Sequence, residues 1–244
     1  MVTMSHEGLV RVNNEDCVRV VEASQTHPAI AVLADGMGGL MGGEDASHSA
    51  VEAVRFAICD EGYPTNTLDD LCEIVNFAHS RVSEYAKELN YFGRMGTTLL
   101  FWVGATPEDA QTEDRGGLFA HVGDSRLYQF SQGELRQLSR DQTVAQRLED
   151  TGVIGPGKAK YHRQKHVLTQ AIGLPGLLQP QVGSITESCR LLLCSDGLSD
   201  LVSTHRMAEL LGLEDLEEAA GELLRYALDE GGTDNISLAL IDLD

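Results

Sequence analysis

Apolar residues along this chain fall into two patterns: short runs bounded by turn formers, and longer stretches with helical spacing. Residues 18–22 and 29–34 read as two strands joined by a loop containing Pro28, which predicts an antiparallel pair. Over 43–60, Ala46, Ala50, Val54, Ala57 and Ile58 recur at helical spacing. Over 67–90, Leu68, Leu71, Cys72, Val75, Ala78, Val82, Ala86 and Leu89 share one face, so two amphipathic helices follow each other with Pro64 between them. A β-rich middle comes next, with strands in 96–105 and 118–122 and a hairpin over 125–138 turning at Gln132-Gly133. Residues 142–151 read as a helix ending at Gly152. The rest predicts strands near 181–187 and 190–195, helices near 205–211 and 214–229, and a final strand at 235–242; Leu216, Ala219, Ala220, Leu223, Ala227 and Leu228 form the buried stripe of the second helix.

Helices that arrive in pairs and strands that arrive in runs favour antiparallel sheets with helices packed outside over a parallel βαβ array, so the class is α+β. No internal repeat or low-complexity tract divides the chain, and the acidic loop at 106–116 is too short for a linker. The expectation is one domain over 1–244. Residues 152–166 lack an apolar period, carry several turn formers and hold Lys158, Lys160, Arg163 and Lys165, and they read as a basic flap.

Composition narrows the function. The net charge of −20 offers no basic stripe and repels phosphate backbones, which excludes nucleic-acid binding; most of the acidity serves solubility. No apolar stretch reaches membrane-spanning length, and the opening residues lack a signal core, so the expected location is cytoplasmic. Cys17, Cys59, Cys72, Cys189 and Cys194 are odd in number and show no Cys-x-x-Cys spacing. They read as buried reduced thiols rather than a disulfide frame or zinc site.

The chemistry lies where apolar runs meet turns. AVLADG (31–36), LLLCSDG (191–197) and GTDNISLAL (232–240) each place an aspartate, Asp35, Asp196 or Asp234, at the junction of a strand and a glycine- or asparagine-marked turn. Asp16, in RVNNED, and Asp124, in HVGDSR, share that setting. A carboxylate beside an apolar strand costs several kcal/mol if buried unpaired, and metal coordination offsets the cost. All-oxygen ligands with no His or Cys pairing among them indicate a hard ion, Mg²⁺ or Mn²⁺, with Ca²⁺ disfavoured by the lack of an EF-hand loop. Two such ions about 3.5–4 Å apart share and activate a water, and a phosphoryl group suits such a site. Arg11 is the best-placed planar cation for its non-bridging oxygens.

The motifs and their order resemble the bacterial form of the metal-dependent protein serine/threonine phosphatases of type 2C. The resemblance covers nearly the whole chain: GLVRVNNED (8–16), ADGMGG (34–39) with GGEDAS (42–47), MGTTL (95–99), VGDSRLY (122–128), the flap with HVLTQAIG (166–173), CSDGLSD (194–200) and TDNIS (233–237). It implies a four-layer sandwich of two central antiparallel sheets flanked by helix pairs, with metals in a cleft at one end. It also implies that Asp35 bridges two metals, the Gly36 carbonyl adds a ligand, Asp196 and Asp234 complete one metal, and Asp16 holds metal-bound water. Asp124 then binds a third, weaker metal with Asp196, and Arg11 binds phosphate.

Two positions depart from many bacterial relatives: Leu40 replaces a histidine after DGMGG, and Gln142 replaces one in the Asp-His-Ser/Thr run. Neither removes a carboxylate, but both remove a proton donor for the leaving serine. Metal-bound water, His162 and His166 are the remaining candidates. His121 reads as a satisfied near-core histidine and Trp102 as core packing. Ser125 and Ser195 lack a histidine at nucleophile spacing.

The expected activity is hydrolysis of phosphoserine and phosphothreonine in proteins by in-line attack of a water bridging two Mn²⁺ or Mg²⁺ ions. The alternative is a non-catalytic regulatory module keeping the same fold, whose mark would be lost metal carboxylates. An aspartyl-phosphate phosphotransferase would want a second aspartate where Met37 stands. Expected partners are phosphorylated proteins, including a serine/threonine kinase or its substrates, and the default state is a monomer.

Overall fold

The computed structural model describes residues 1–37, 42–105, 116–186 and 188–243. Leu40 and nearly all of the acidic 106–116 loop fall outside them. Among the described residues eleven strands, β1 (Val2–His6), β2 (Asp16–Val21), β3 (Ile30–Met37), β4 (Gly96–Thr97), β5 (Leu99–Val103), β6 (Leu118–Val122), β7 (Arg126–Ser131), β8 (Glu134–Gln137), β9 (Gln181–Ser184), β10 (Cys189–Cys194) and β11 (Ile236–Leu243), form two sheets. One runs β1-β11-β10-β7-β8; the other runs β2-β3-β5-β6-β9, with β4 paired to β3. Every ladder is antiparallel.

Alternation along the strands explains the layering. In β3, Ala31 and Leu33 face the other sheet and pack with Leu100, Trp102, Leu127, Leu191, Leu193 and Ala239. Ile30, Val32 and Ala34 face outward and pack with Ala50, Val54, Leu71, Val75 and Val82, which come from helices α1 (Gly43–Arg55) and α2 (Leu68–Glu88). Leu192, Cys194, Leu238 and Leu240 likewise pack outward against Met207, Leu211, Leu223 and Ala227. Those belong to two helices near the C-terminus, Thr204–Leu211 and Leu216–Asp229. Both faces of each sheet are thus covered, which is why the central strands read as unbroken apolar runs. The result is the expected α+β sandwich with a helix pair on each side.

Element ends follow local chemistry. Thr67 caps α2 in a reciprocal capping box with Asp70. Helix α3 (Val144–Asp150) is capped by the Thr143 hydroxyl, and the β7–β8 hairpin turns at Gln132 and Gly133, both at positive φ. Beyond α1 the chain widens into a π-helical turn, Phe56–Asp60, so the helix read over 43–60 is two segments. Residues 152–166 are turns around a short 3₁₀ helix, Ala159–Tyr161.

Three features go beyond the pattern of apolar positions. Strand β1 pairs with β11 at a sheet edge. Strands β9 and β10, near neighbours in sequence, belong to different sheets. The four-residue α4 (Asp196–Ser199) follows β10 directly, and with it the two C-terminal helices are α5 and α6. No disulfide joins the described cysteines; Cys189 and Cys194 are buried as expected, whereas Cys17, Cys59 and Cys72 are only half-buried. Among the described residues no helix is long and apolar enough to cross a membrane.

Candidate active site

Five carboxylates meet at one end of the sandwich because both sheets terminate there. Asp16 begins β2 and Asp35 lies near the end of β3, directly opposite it in the ladder. Asp124 occupies the turn between β6 and β7, Asp196 opens α4 after β10, and Asp234 precedes β11. Arg11, Glu15, Asp35, Gly36, Thr98, Asp124, His166, Leu168, Asp196, Asp234 and Asn235 line a cleft of about 260 Å³. Asp16 lies beneath it, 5% exposed.

Backbone geometry fixes the β3 end. Asp35 N–H donates to the Thr98 hydroxyl at 2.9 Å, Thr98 N–H donates to the Asp35 carbonyl at 2.9 Å, and the Thr98 and Ser125 hydroxyls lie 2.7 Å apart. A Cβ on Gly36 would stand 2.2 Å from the Gly43 carbonyl oxygen and 2.6 Å from that of Glu15, so the close approach of β3, the β2 entry and α1 requires glycine.

The Arg11 loop is clamped from β11. Asn235 Nδ2 donates to the carbonyls of Glu7 and Asn13, each at 2.9 Å, while its Oδ1 accepts from Glu15 N–H at 2.8 Å. At the loop's tip Arg11 Nη2 donates to Asp234 Oδ2 at 2.7 Å. This bond to Asp234 raises the Arg11 pKa, against the opposing effect of burial.

The site's electrostatics are those of crowded negative charge. Burial pushes the Asp16 carboxyl up to about 7, with the Ser195 hydroxyl bond at 2.8 Å opposing and Asp196 and Asp234 adding repulsion. Burial and the neighbouring carboxylates, Asp16 first, hold Asp35 well above the usual range. Burial, then Asp196 and Asp141, takes Asp124 to about 8. None of Asp16, Asp35 and Asp124 forms an ion pair among the described residues, and Asp16 Oδ1 is buried without a hydrogen-bond partner. Carboxylates so placed fit divalent cations: an ion relieves the repulsion and gives the orphaned oxygen a partner.

One nitrogen joins them, correcting the all-oxygen expectation. His166 Nδ1 lies 3.1 Å from Asp196 Oδ2, and its Nε2 lies 3.5 Å from Asp200 Oδ2. Asp124, His166 and Asp196 offer ligand atoms within 4.8 Å of one another, a cluster consistent with one divalent-metal site. The bond to Asp196 raises the His166 pKa, against burial.

Several other residues are structural. Gln142 Oε1 accepts from Gly123 N–H at 2.8 Å and its own N–H donates to the Gly123 carbonyl at 2.7 Å, so it fastens the Asp124 turn. Ser125 and Ser195 are fully buried. Trp102 packs between the sheets and donates its indole N–H to the Gly116 carbonyl. His121 is fully buried, as expected of a core residue, but among the described residues neither ring nitrogen makes a hydrogen bond of normal length and angle. In the flap, His162 Nδ1 accepts from Gln164 N–H, Lys165 pairs with Asp200, and Lys160 lies over the Tyr161 ring.

The sequence model of the protein phosphatase 2C family matches residues 8–237. The chain is 36% identical over 244 residues to the serine/threonine protein phosphatase PstP of Mycobacterium tuberculosis, covering 98% of this chain and 44% of that protein. It is 31% identical to the protein phosphatase PhpP of Streptococcus pneumoniae, covering 97% of this chain and 94% of that one. The catalytic domain of a phosphatase PstP, solved with two manganese ions, superposes with a TM-score of 0.79 at 33% identity over 99% of this chain and 96% of that one. A family match of this length, on a sandwich whose sheet ends gather these carboxylates, places the chain in the protein phosphatase 2C family.

Proposed function

We propose that the chain is a metal-dependent phosphatase hydrolysing phosphoserine and phosphothreonine in proteins. The observation that carries this reading is the gathering of Asp16, Asp35 and Asp124, without ion-pair partners of their own, around the partnered Asp196 and Asp234. Asp35, the Gly36 carbonyl, Asp196 and Asp234, with Asp16 behind them, are the set that would hold two ions. Asp124, Asp196 and His166 would hold a third. The two manganese ions of the PstP catalytic domain support that count. Bound Mn²⁺ or Mg²⁺ supplies positive charge against the phosphoryl oxygens and acidifies water for the attack.

The chain's own residues do the positioning. Arg11, released from Asp234, presents a planar guanidinium to the non-bridging oxygens. Thr98 fixes the Asp35 backbone, Ser195 holds Asp16 by one oxygen, and Asn235 fixes the loop that brings Arg11 to the cleft. Water forms a bond to phosphorus in line as the ester P–O bond breaks, and the proton it loses ends on the departing serine or threonine oxygen, giving phosphate and the free alcohol; the two fully buried serines beside the site take no covalent part. The chain acts as one catalytic domain, with residues 152–166 as a flap beside the cleft.

The test is hydrolysis of a phosphothreonine peptide with Mn²⁺ and with chelator, using unsubstituted protein and the Asp35→Asn and Asp234→Asn variants. Each variant should lose more than the roughly hundredfold that removal of an outer-shell partner brings. Full activity in both, or turnover indifferent to chelator, would sink the proposal.

A further inference from the structure

The proposed activity leaves unexplained an exposed apolar group in the chain on either side of Arg11, which lines the cleft. Arg11 belongs to a run whose other members, Leu9, Val10 and Val12, are 64%, 66% and 88% exposed. Among the described residues no other stretch of four holds more than one exposed large hydrophobic. Single exposed apolar residues need no explanation, whereas three within the four-residue run of an arginine that lines the cleft do.

This run is held, not loose. Leu9 N–H donates to the Gly232 carbonyl at 2.7 Å, Arg11 is tied to Asp234, and Asn235 grips Glu7, Asn13 and Glu15 on both sides. A Cβ on Gly8 would fall 2.2 Å from the Asp234 carbonyl oxygen, so the loop lies flush on the entry to β11. Ordering it was part of folding, and a ligand that covers it gains apolar burial without freezing a mobile segment.

We propose that Leu9, Val10 and Val12 form a substrate lip that takes an apolar side chain next to the phosphorylated serine or threonine. The proposal rests on the phosphatase reading for its occupant, a phosphorylated polypeptide. Consecutive Cα atoms lie about 3.8 Å apart, so with the phosphate on Arg11 the adjoining residue falls within reach of the lip. Acidic neighbours are disfavoured there by Glu7, Glu15 and Asp234.

Two thiophosphothreonine peptides, alike except for Leu or Ser on both sides of the modified residue, would be titrated by fluorescence anisotropy against the manganese-loaded protein. The Leu peptide should bind about fivefold more tightly, the order given by burying part of one aliphatic side chain. Val12→Ser and Val10→Ser, at exposed positions that leave the fold intact in a thermal melt, should bring that ratio toward one. Equal affinities in the unsubstituted protein, or a ratio unmoved by both substitutions, would overturn the lip. Turnover of p-nitrophenyl phosphate, which has no neighbouring residue, reports on the activity separately. Its absence would remove the phosphatase reading, while the affinity ratio would still decide the lip.

Discussion

Asp16 and Asp35 stand directly opposite each other across the β2–β3 ladder, two carboxylates where an antiparallel pair ordinarily places complementary side chains. Without an ion the arrangement opposes folding, since both carboxyls are driven toward their protonated forms, by burial first. Asp35→Asn should therefore raise the melting temperature of chelated protein at pH 8. Relief of about 1 kcal/mol corresponds to roughly 2–4 °C for a domain of this size. The same substitution should abolish most of the further rise that Mn²⁺ gives the unsubstituted protein. Differential scanning fluorimetry with chelator and with Mn²⁺ measures both; a lowered melting temperature in chelator would contradict the account.

Asn235 is the joint between β11 and the Arg11 loop, 7% exposed and hydrogen-bonded to three backbone groups. Asn235→Ala leaves two carbonyls and one N–H without that partner, and should cost about 2–4 kcal/mol of stability. At a temperature where the variant is folded, Arg11 is no longer held over the cleft. KM for a phosphothreonine peptide should rise about tenfold while metal affinity, measured by calorimetry, changes little. Equal losses in both would mean that the loop also shapes the metal ligands.

The aspartates could be found from sequence because each stands at one end of an apolar run: β3 and β10 are buried on both faces, so their ends are sharp and a charged residue there stands out. Pairwise relations were hidden. Arg11 meets Asp234 across 223 positions and His166 meets Asp196 across 30, and no local pattern encodes either contact. His166 could be weighed as a proton donor from its place in the flap, but its neighbour depends on how residues 152–166 fold back. Strand β1 escaped because Val-Thr-Met-Ser-His has no apolar run, and it is an edge strand whose Val2 and Met4 are only partly buried. Residues 181–195 read as successive strands, yet Ile185 still bonds beside β6, its N–H donating to the Gly117 carbonyl, while β10, starting at Cys189, pairs in the other sheet. Periodicity carries no mark of which sheet a strand joins.

His166 should matter to metal binding more than to fold. It is 54% exposed by side chain, so its truncation opens no cavity. With Asp124 and Asp196 it offers three ligand atoms, and His166→Ala should weaken manganese binding at that cluster by about tenfold or more. Calorimetric titration should lose its weakest phase in both His166→Ala and Asp124→Ala, with the tighter phase kept. An unchanged isotherm in His166→Ala would reduce the histidine to a neighbour of Asp196.

His121 carries the acid sensitivity of the core. It is fully buried, and among the described residues neither ring nitrogen makes a hydrogen bond of normal length and angle; burial pushes its pKa down to about 4, opposed by Asp141 and by weaker hydrogen-bond contacts with the Ser125 backbone and the Gln181 side chain. An unfolded histidine titrates near ~6.5, so between ~6.5 and ~4 the unfolded chain binds a proton that the folded chain does not. Its contribution is thus intact above pH ~6.5 and is lost progressively as pH falls, by about 3 kcal/mol at pH ~4. The raised carboxyls of Asp16 and Asp124 act in the opposite direction over part of the same range, so the informative quantity is the difference from His121→Leu. That variant removes two unsatisfied nitrogens from the core, and its advantage in urea-unfolding free energy should grow by about 3 kcal/mol from pH 7 to pH 4. A difference that stays flat across that interval would show that His121 finds a proton partner in the folded protein.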